Sequence, residues 1–196
     1  MSTLTTLPIA PRRLRADAAR NRAKVLDAAR AAFAAHGSSA QIEEIARDAG
    51  VGVGTVYRHF PTKQALAEAL VEERFERVLA YQRELLDEPD PWRAIERSFE
   101  FCAQSQERDR ALAGVLATLA GDAGTPAGPR AHQHADLMAA IEQMLERARA
   151  AGAIRPDLRA ADMPPLYCGL ASVVQAGVAD WRRYLVLLLD GLRARA

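Results

Sequence analysis

The sequence predicts an all-α fold. Three observations carry this. Apolar residues recur at helical spacing along most of the chain. Ala, Arg and Leu, all strong helix formers, are used heavily. There is no alternating strand pattern, and no internal repeat of roughly 20–50 residues. About nine helices are expected, the first three short and the later ones longer.

Residues 1–16 read as a disordered basic arm. Arg20 to His36 then sets Val25, Leu26, Ala29, Ala32 and Phe33 on one face, and Gly37 stops that helix. Ser38 precedes Gln41 at the spacing of a capping box, which opens a second helix. Its stripe is Ile42, Ile45, Ala46 and Ala49, and Gly50 ends it as a left-handed C-cap residue. Val53 to Phe60 is a third short segment with Val56 and Phe60 on one face, closed by Pro61. Thr62 caps a long helix from Lys63 towards Leu86.

Glu88-Pro-Asp-Pro breaks the long helix. Asp90 and Pro91 suit the N-cap and first helical position of the next, which carries Trp92, Ile95, Phe99 and Cys102. A further helix holds Leu112, Val115, Leu116 and Leu119. GDAGTPAGP, from Gly121 to Pro129, is the most loop-like stretch of the chain. A helix from about Arg130 to Ala151 follows, with Leu137, Ile141, Met144 and Leu145 as its stripe. GAIRPDL is a turn. Asp162 caps a helix with Pro164 and Pro165 in its first turn, ended by Gly177. Asp180 caps the last helix, WRRYLVLLLDGLRARA.

Charge is uneven although the net charge is only +1. Up to Lys63, ten Lys/Arg stand against five Asp/Glu, so that part carries +5 and the remainder −4. A basic N-terminal part on a near-neutral chain points to an anionic partner for that part alone. Cys102 and Cys168 are far apart with no CxxC spacing, which fits a reduced cytosolic compartment. No apolar run approaches the roughly 18 residues of a membrane span, and the N-terminus has no apolar core of signal-peptide length. A soluble, cytoplasmic protein with no membrane partner is expected.

The run GVGVGTVYRHFPTKQAL, residues 50–66, looks at first like a phosphate loop. A dinucleotide fingerprint needs a preceding strand and G-x-G-x-x-G spacing. Here a helix precedes, and Thr55 stands where the third glycine belongs. No Walker loop is present either. Two short helices joined by a tight Gly-containing turn match a helix-turn-helix. An ordinary tight helical corner fits the same pattern. In the first reading Gly50 turns the chain, Val51 plugs the corner and Gly52 is the N-cap of the second helix. With Val56 and Phe60 inward, Val53, Gly54, Thr55, Tyr57, Arg58 and His59 face outward.

IEEIARDAGVGVGTVYRHFPTKQAL resembles the DNA-binding segment of the TetR/AcrR family of bacterial transcriptional regulators. The match lies in the I-A pair, the A-G-V, the G-T-hydrophobic-Y-x-H-F run and the closing K-x-x-L, and it covers about residues 20–66. RAxxxGAIRPDL and WRRYLVLLLDGLRA resemble the SbtR-type subgroup in the C-terminal part. The resemblance implies a three-helix DNA-binding domain with a helix-turn-helix over 17–62, and a larger helical ligand-binding and dimerisation domain over 63–196. It implies that Val53, Gly54 and Thr55 begin the recognition helix. Thr55, Tyr57, His59 and Lys63 match phosphate-binding positions, and Arg58 stands where the family varies. Position 52 is Gly where many relatives carry Ser, so that N-cap bond is lost. The turn GSSAQ is one residue shorter than the common form, which leaves Ser39 and Gln41 as candidates for the helix-start contact. Arg12, Arg13, Arg15, Arg20 and Arg22 either reach DNA or form a solvated tail.

In the C-terminal domain, Trp92, Phe99, Cys102, Leu116, Met138 and Tyr167 are the candidate effector-pocket residues, with plain core packing as the alternative. VLLL, Val186 to Leu189, is apolar on more than one face, whereas a surface helix needs one. Through the resemblance, Leu170, Val174, Leu185, Leu188 and Leu189 become the expected dimer interface of the last two helices. His132 and His134 diverge on a helix, so no metal is expected. No cofactor is expected, and no nucleophile–base constellation supports an enzyme. The expected function is a homodimeric repressor that binds a double-stranded, pseudo-palindromic operator and is released by a small-molecule effector. An activator or nucleoid-type binder without an effector is the rival, and a pocket too small for a ligand would favour it.

Overall fold

The computed structural model describes residues 11–109, 129–177 and 180–194. Among these are eight α-helices: α1 (Pro11–His36), α2 (Ile42–Asp48), α3 (Val53–His59), α4 (Lys63–Glu84), α5 (Pro91–Arg108), α6 (Pro129–Ala150), α7 (Met163–Ala176) and α8 (Trp181–Leu192). Short 3₁₀ turns lie at Gly37–Ser39, Leu85–Asp87 and Ala160–Asp162, and no strand is present among the described residues. The expected helix around Leu116 and the expected loop up to residue 128 lie outside the described residues.

The chain divides into two compact units after Leu70, inside α4 rather than at its start. The reason is packing. Leu66, Ala67, Ala69 and Leu70 bury their side chains in the same core as Val25, Leu26, Phe33, Ile45, Val56 and Phe60. α1 begins at Pro11, so residues 11–16, expected as part of a disordered arm, are helical.

The local stop and start signals decide the short elements. Gly50 adopts φ 66°, which its lack of a Cβ permits, and its N–H meets the Arg47 carbonyl at 3.1 Å. Gly52 is the N-cap of α3, with extended backbone and its carbonyl accepting from Thr55 N at 2.8 Å. Thr62 caps α4, its Oγ1 accepting from Ala65 N at 3.0 Å. The expected capping box of Ser38 and Gln41 does not form. A 3₁₀ turn takes up Ser38, and Gln41 itself is the N-cap of α2 without a side-chain cap bond.

The second unit is built on α5, whose buried Trp92, Ile95 and Phe99 meet Ile141, Met144 and Leu145 of α6 and Leu170 and Val174 of α7. Asp90 caps α5 by accepting from Trp92 N and Arg93 N. Asp180 caps α8, accepting from Arg182 N at 3.0 Å. Asp162 holds the N-cap position of α7, but its carboxylate instead accepts from Arg159 N at 2.9 Å, across the preceding turn. α7 ends at Gly177, φ 62°. α8 stops at Leu192, short of the expected Ala196. Arg193 is extended and pairs antiparallel with Ile154, and its guanidinium lies 4.1 Å from the centre of the Trp92 ring. That bridge and stacking hold the chain out of the helix.

Candidate DNA-reading surface and effector cavity

The first unit presents α3 on its surface. Val56 is fully buried beneath it, which fixes the rotation of the helix and leaves Gly54, Tyr57 and Arg58 exposed. Val53, Thr55 and His59 are half-buried. Tyr57 is 45% exposed, so its hydroxyl is open to an outside partner. Lys63 opens α4, and its ammonium donates to the Ser38 carbonyl of the turn before α2. Ser39 donates to the His36 carbonyl at 2.6 Å and Gln41 to the Ser39 carbonyl at 2.8 Å, both exposed. One surface therefore carries Ser39, Gln41 and Lys63 around the turn, with the outward residues of α3 on the same unit. Of the basic residues expected to form an arm, Arg20 pairs with Asp17, and Arg22 lies over the Phe60 ring with 5.5 Å to its centre. The side chains of Arg12, Arg13 and Arg15 lie outside the described residues.

The second unit holds a cavity of about 380 Å³ between α4, α5, α6 and α7. Its walls are mainly Val71, Phe75, Val78, Leu137, Met138 and Ile141, with Arg74, Gln82, Cys102, Tyr167, Cys168 and Leu170 also facing it. Of the expected pocket residues, Cys102, Met138 and Tyr167 line it. Trp92 and Phe99 do not: both are buried in the core of α5, where Trp92 donates to Glu96 at 2.6 Å and Phe99 packs 4.5 Å from Tyr167, ring centre to ring centre. Leu116 lies outside the described residues. Burial pushes the Cys102 thiol up to about 12 and raises the Tyr167 hydroxyl as well, so both stay neutral at physiological pH.

Six polar residues of this region escaped the sequence reading. Gln82 Nε2 donates to Ser98 Oγ at 2.6 Å, and Ser98 Oγ lies 2.5 Å from the Tyr167 hydroxyl. Arg74 donates to the side-chain oxygen of Gln106 and lies 3.7 Å from Asp109, which is 3.5 Å from Arg77. Burial lowers the Arg74 pKa and the Asp109 carboxylate counters it. A signal was available. Val71, Phe75, Val78 and Gln82 share one helical stripe, and a glutamine on an apolar stripe is a buried polar group in need of a partner.

Of the residues expected at a dimer interface, Leu170, Val174, Leu185 and Leu189 are buried within the second unit itself, and Leu170 faces the cavity. The helical turn rotates these positions inward. The apolar side chains that α8 exposes are Val186 and Leu187, at 47% and 55%, beside the half-buried Leu188. His134 is exposed at the cavity and the His132 side chain lies outside the described residues. No cluster able to hold a metal ion occurs among the described residues. No helix among them is long and apolar enough to cross a membrane.

Two family models match. Residues 25–70 match the bacterial regulatory proteins of the tetR family, and residues 90–194 match the SbtR-like transcriptional regulator C-terminal domain. The solved TetR transcription regulatory protein from Mycobacterium vanbaalenii is 37% identical, with a TM-score of 0.70 over 92% of this chain and 99% of that one. A TetR transcriptional regulator from Streptomyces coelicolor is 33% identical, with a TM-score of 0.68 over 89% of this chain and 99% of that one. The HTH-type transcriptional regulator UidR from Escherichia coli is 27% identical over 84% of this chain and 85% of its own length.

Proposed function

This chain belongs to the TetR family of bacterial transcriptional regulators, which are not enzymes, and from that premise we propose that it is a ligand-responsive repressor. In this reading residues 17–62 are the DNA-binding domain and 63–196 bind the effector and form a homodimer. The protein works in the cytoplasm, where its operator is. Val53, Gly54 and Thr55 approach base edges. Thr55, Tyr57, His59 and Lys63 hold phosphates, Arg58 reads a base or a phosphate, and Ser39 and Gln41 flank the turn. Two such heads related by a two-fold axis reach successive major grooves of a pseudo-palindromic operator. Val186, Leu187 and Leu188 of α8 supply the apolar surface for the second copy, supported from beneath by Leu170, Val174, Leu185 and Leu189.

The observation that carries the effector half of this reading is the cavity against α4. Lys63 begins that helix, and Val71, Phe75 and Val78 of the same helix line the cavity. A small molecule packed there acts directly on the helix that positions Lys63. At about 380 Å³ the cavity falls in the range of roughly 300–1,000 Å³ typical of ligand pockets, which argues against the effector-less rival.

Gel-shift titration with the DNA upstream of its own gene tests the DNA half. The protein is expected to bind at low salt, and Tyr57→Ala and Lys63→Ala each to weaken binding to all sequences and to lower the salt slope by about 1. No binding at low salt would remove the central reading. An unchanged slope would remove the phosphate roles.

A further inference from the structure

We propose that the cavity of the second unit takes an uncharged, mainly apolar molecule that carries a hydroxyl group, held at Gln82. This rests on the reading of the cavity as the effector site. Gln82 is only 1% exposed, lies on the cavity wall, and its Oε1 has no hydrogen-bond donor among the described residues. A buried carbonyl oxygen without a donor destabilises a fold, so a glutamine on the stripe of Val71, Phe75 and Val78 is poorly explained by packing alone. Its amide is not loose. Nε2 is engaged by Ser98, which orients the remaining oxygen.

The neighbours of Gln82 set the chemistry. The Tyr167 hydroxyl lies on the cavity wall, paired with the fully buried Ser98 hydroxyl, and neither is charged. A ligand hydroxyl donates to Gln82 Oε1 and accepts from the Tyr167 hydroxyl. An ether or ketone only accepts, and leaves Oε1 unmet. An anion finds little to hold it. Arg74 is the permanently charged residue among the described lining residues, and its guanidinium is already engaged by Gln106 and Asp109. A cation meets Arg74 without a free carboxylate among those lining residues and loses its hydration on the apolar walls. The rest of the ligand is apolar because Val71, Phe75, Val78, Leu137 and Met138 face it.

Thermal-shift and calorimetric titrations of the full chain test this with defined probes. They are 1-octanol and 4-tert-butylcyclohexanol as alcohols, 1-methoxyheptane as the isostere without a donor, and octanoate and octylammonium as the charged counterparts. Either alcohol is expected to raise Tm, with 1-octanol binding about tenfold tighter than 1-methoxyheptane and both ions weaker still. Gln82→Leu is expected to fold and to bind 1-octanol and 1-methoxyheptane alike, and Gln82→Met serves where the leucine variant does not fold. Tightest binding by octanoate, equal binding of alcohol and ether by the unmodified protein, no binding of either alcohol, or a preference for alcohol that survives loss of Gln82 would each overturn the proposal. DNA release is read in the same titrations. Alcohol binding without release removes the effector reading and leaves the chemistry of the cavity. Release by a charged or donor-free molecule bound there removes this proposal and leaves the effector reading.

Discussion

Among the described residues, every buried side chain of the first unit is apolar, from Val25 through Leu70, whereas the second unit buries Gln82, Ser98, Ser105, Gln106 and Asp109. The contrast matches the work proposed for each unit. An all-apolar core packs densely with few alternative arrangements, and makes a rigid platform for side chains that must meet DNA in register. Buried polar groups depend on the geometry of their partners, so a unit that contains them responds when a ligand supplies or displaces one. The first unit keeps its polar chemistry outside, on Tyr57, Arg58 and Lys63. The second keeps part of it inside, around Gln82 and Asp109.

The largest expected effect comes from breaking the apolar side. Phe33 is fully buried in the first core, and Phe33→Ala is expected to cost about 3–5 kcal/mol there. Both tryptophans, Trp92 and Trp181, lie in the second unit, so their fluorescence follows that unit alone. DNA binding should disappear on mild heating while the tryptophan melting midpoint stays in place. A tryptophan midpoint that falls in step would mean that the two cores unfold as one and that the contrast has no thermodynamic content.

A smaller effect separates folding from reading. Gly54 sits exposed in α3, and a Cβ there meets nothing within 4 Å. Gly54→Ala is expected to stabilise the helix by about 0.5–1 kcal/mol, while operator affinity falls roughly tenfold, or about 1.4 kcal/mol, because the slim face no longer fits the groove. A Tm that rises with unchanged affinity would show that Gly54 is not there for close approach.

The smallest effect concerns the cavity thiols. Burial lifts Cys102 from its ordinary 9.0 to about 12, while Cys168 is exposed. At pH 8 iodoacetamide should modify Cys168 and leave Cys102 largely intact, as peptide masses would show. The sign of the linkage follows. The buried neutral thiol contributes stability that is fully present below pH 9 and is lost as pH rises towards 12. Fast modification of both thiols would mean that the polar-lined unit opens to water far more readily than its core suggests.

The glycine run shows how much of the site was legible. Local rules sufficed for Gly50 as the left-handed stop, Gly52 as the N-cap and Thr62 as the cap of α4, because each depends on backbone conformation within a few residues. The same rules failed at Ser38 and Asp162, where a neighbouring 3₁₀ turn competed for the residue.

By itself the sequence determined the all-helical class, the apolar stripes of Val25 to Phe33 and Ile42 to Ala49 and, through its family resemblance, the helix-turn-helix; of the residues read as outward, Gly54, Tyr57 and Arg58 are exposed, while Val53, Thr55 and His59 are half-buried. Helical periodicity and capping are local, and they were readable one segment at a time. Only the tertiary structure decided which side of each later helix is covered. It turned Leu170, Val174, Leu185 and Leu189 into the core of the second unit and left Val186 and Leu187 outside. It moved Trp92 and Phe99 off the cavity wall, and it brought Gln82 and Ser98 together with Tyr167, which lies 69 residues beyond Ser98 in the chain. The physical reason is the same in each case. A helix presents more than one face, and its apolar pattern says that a side is buried without saying against what. Only the packing of distant helices supplies the partner.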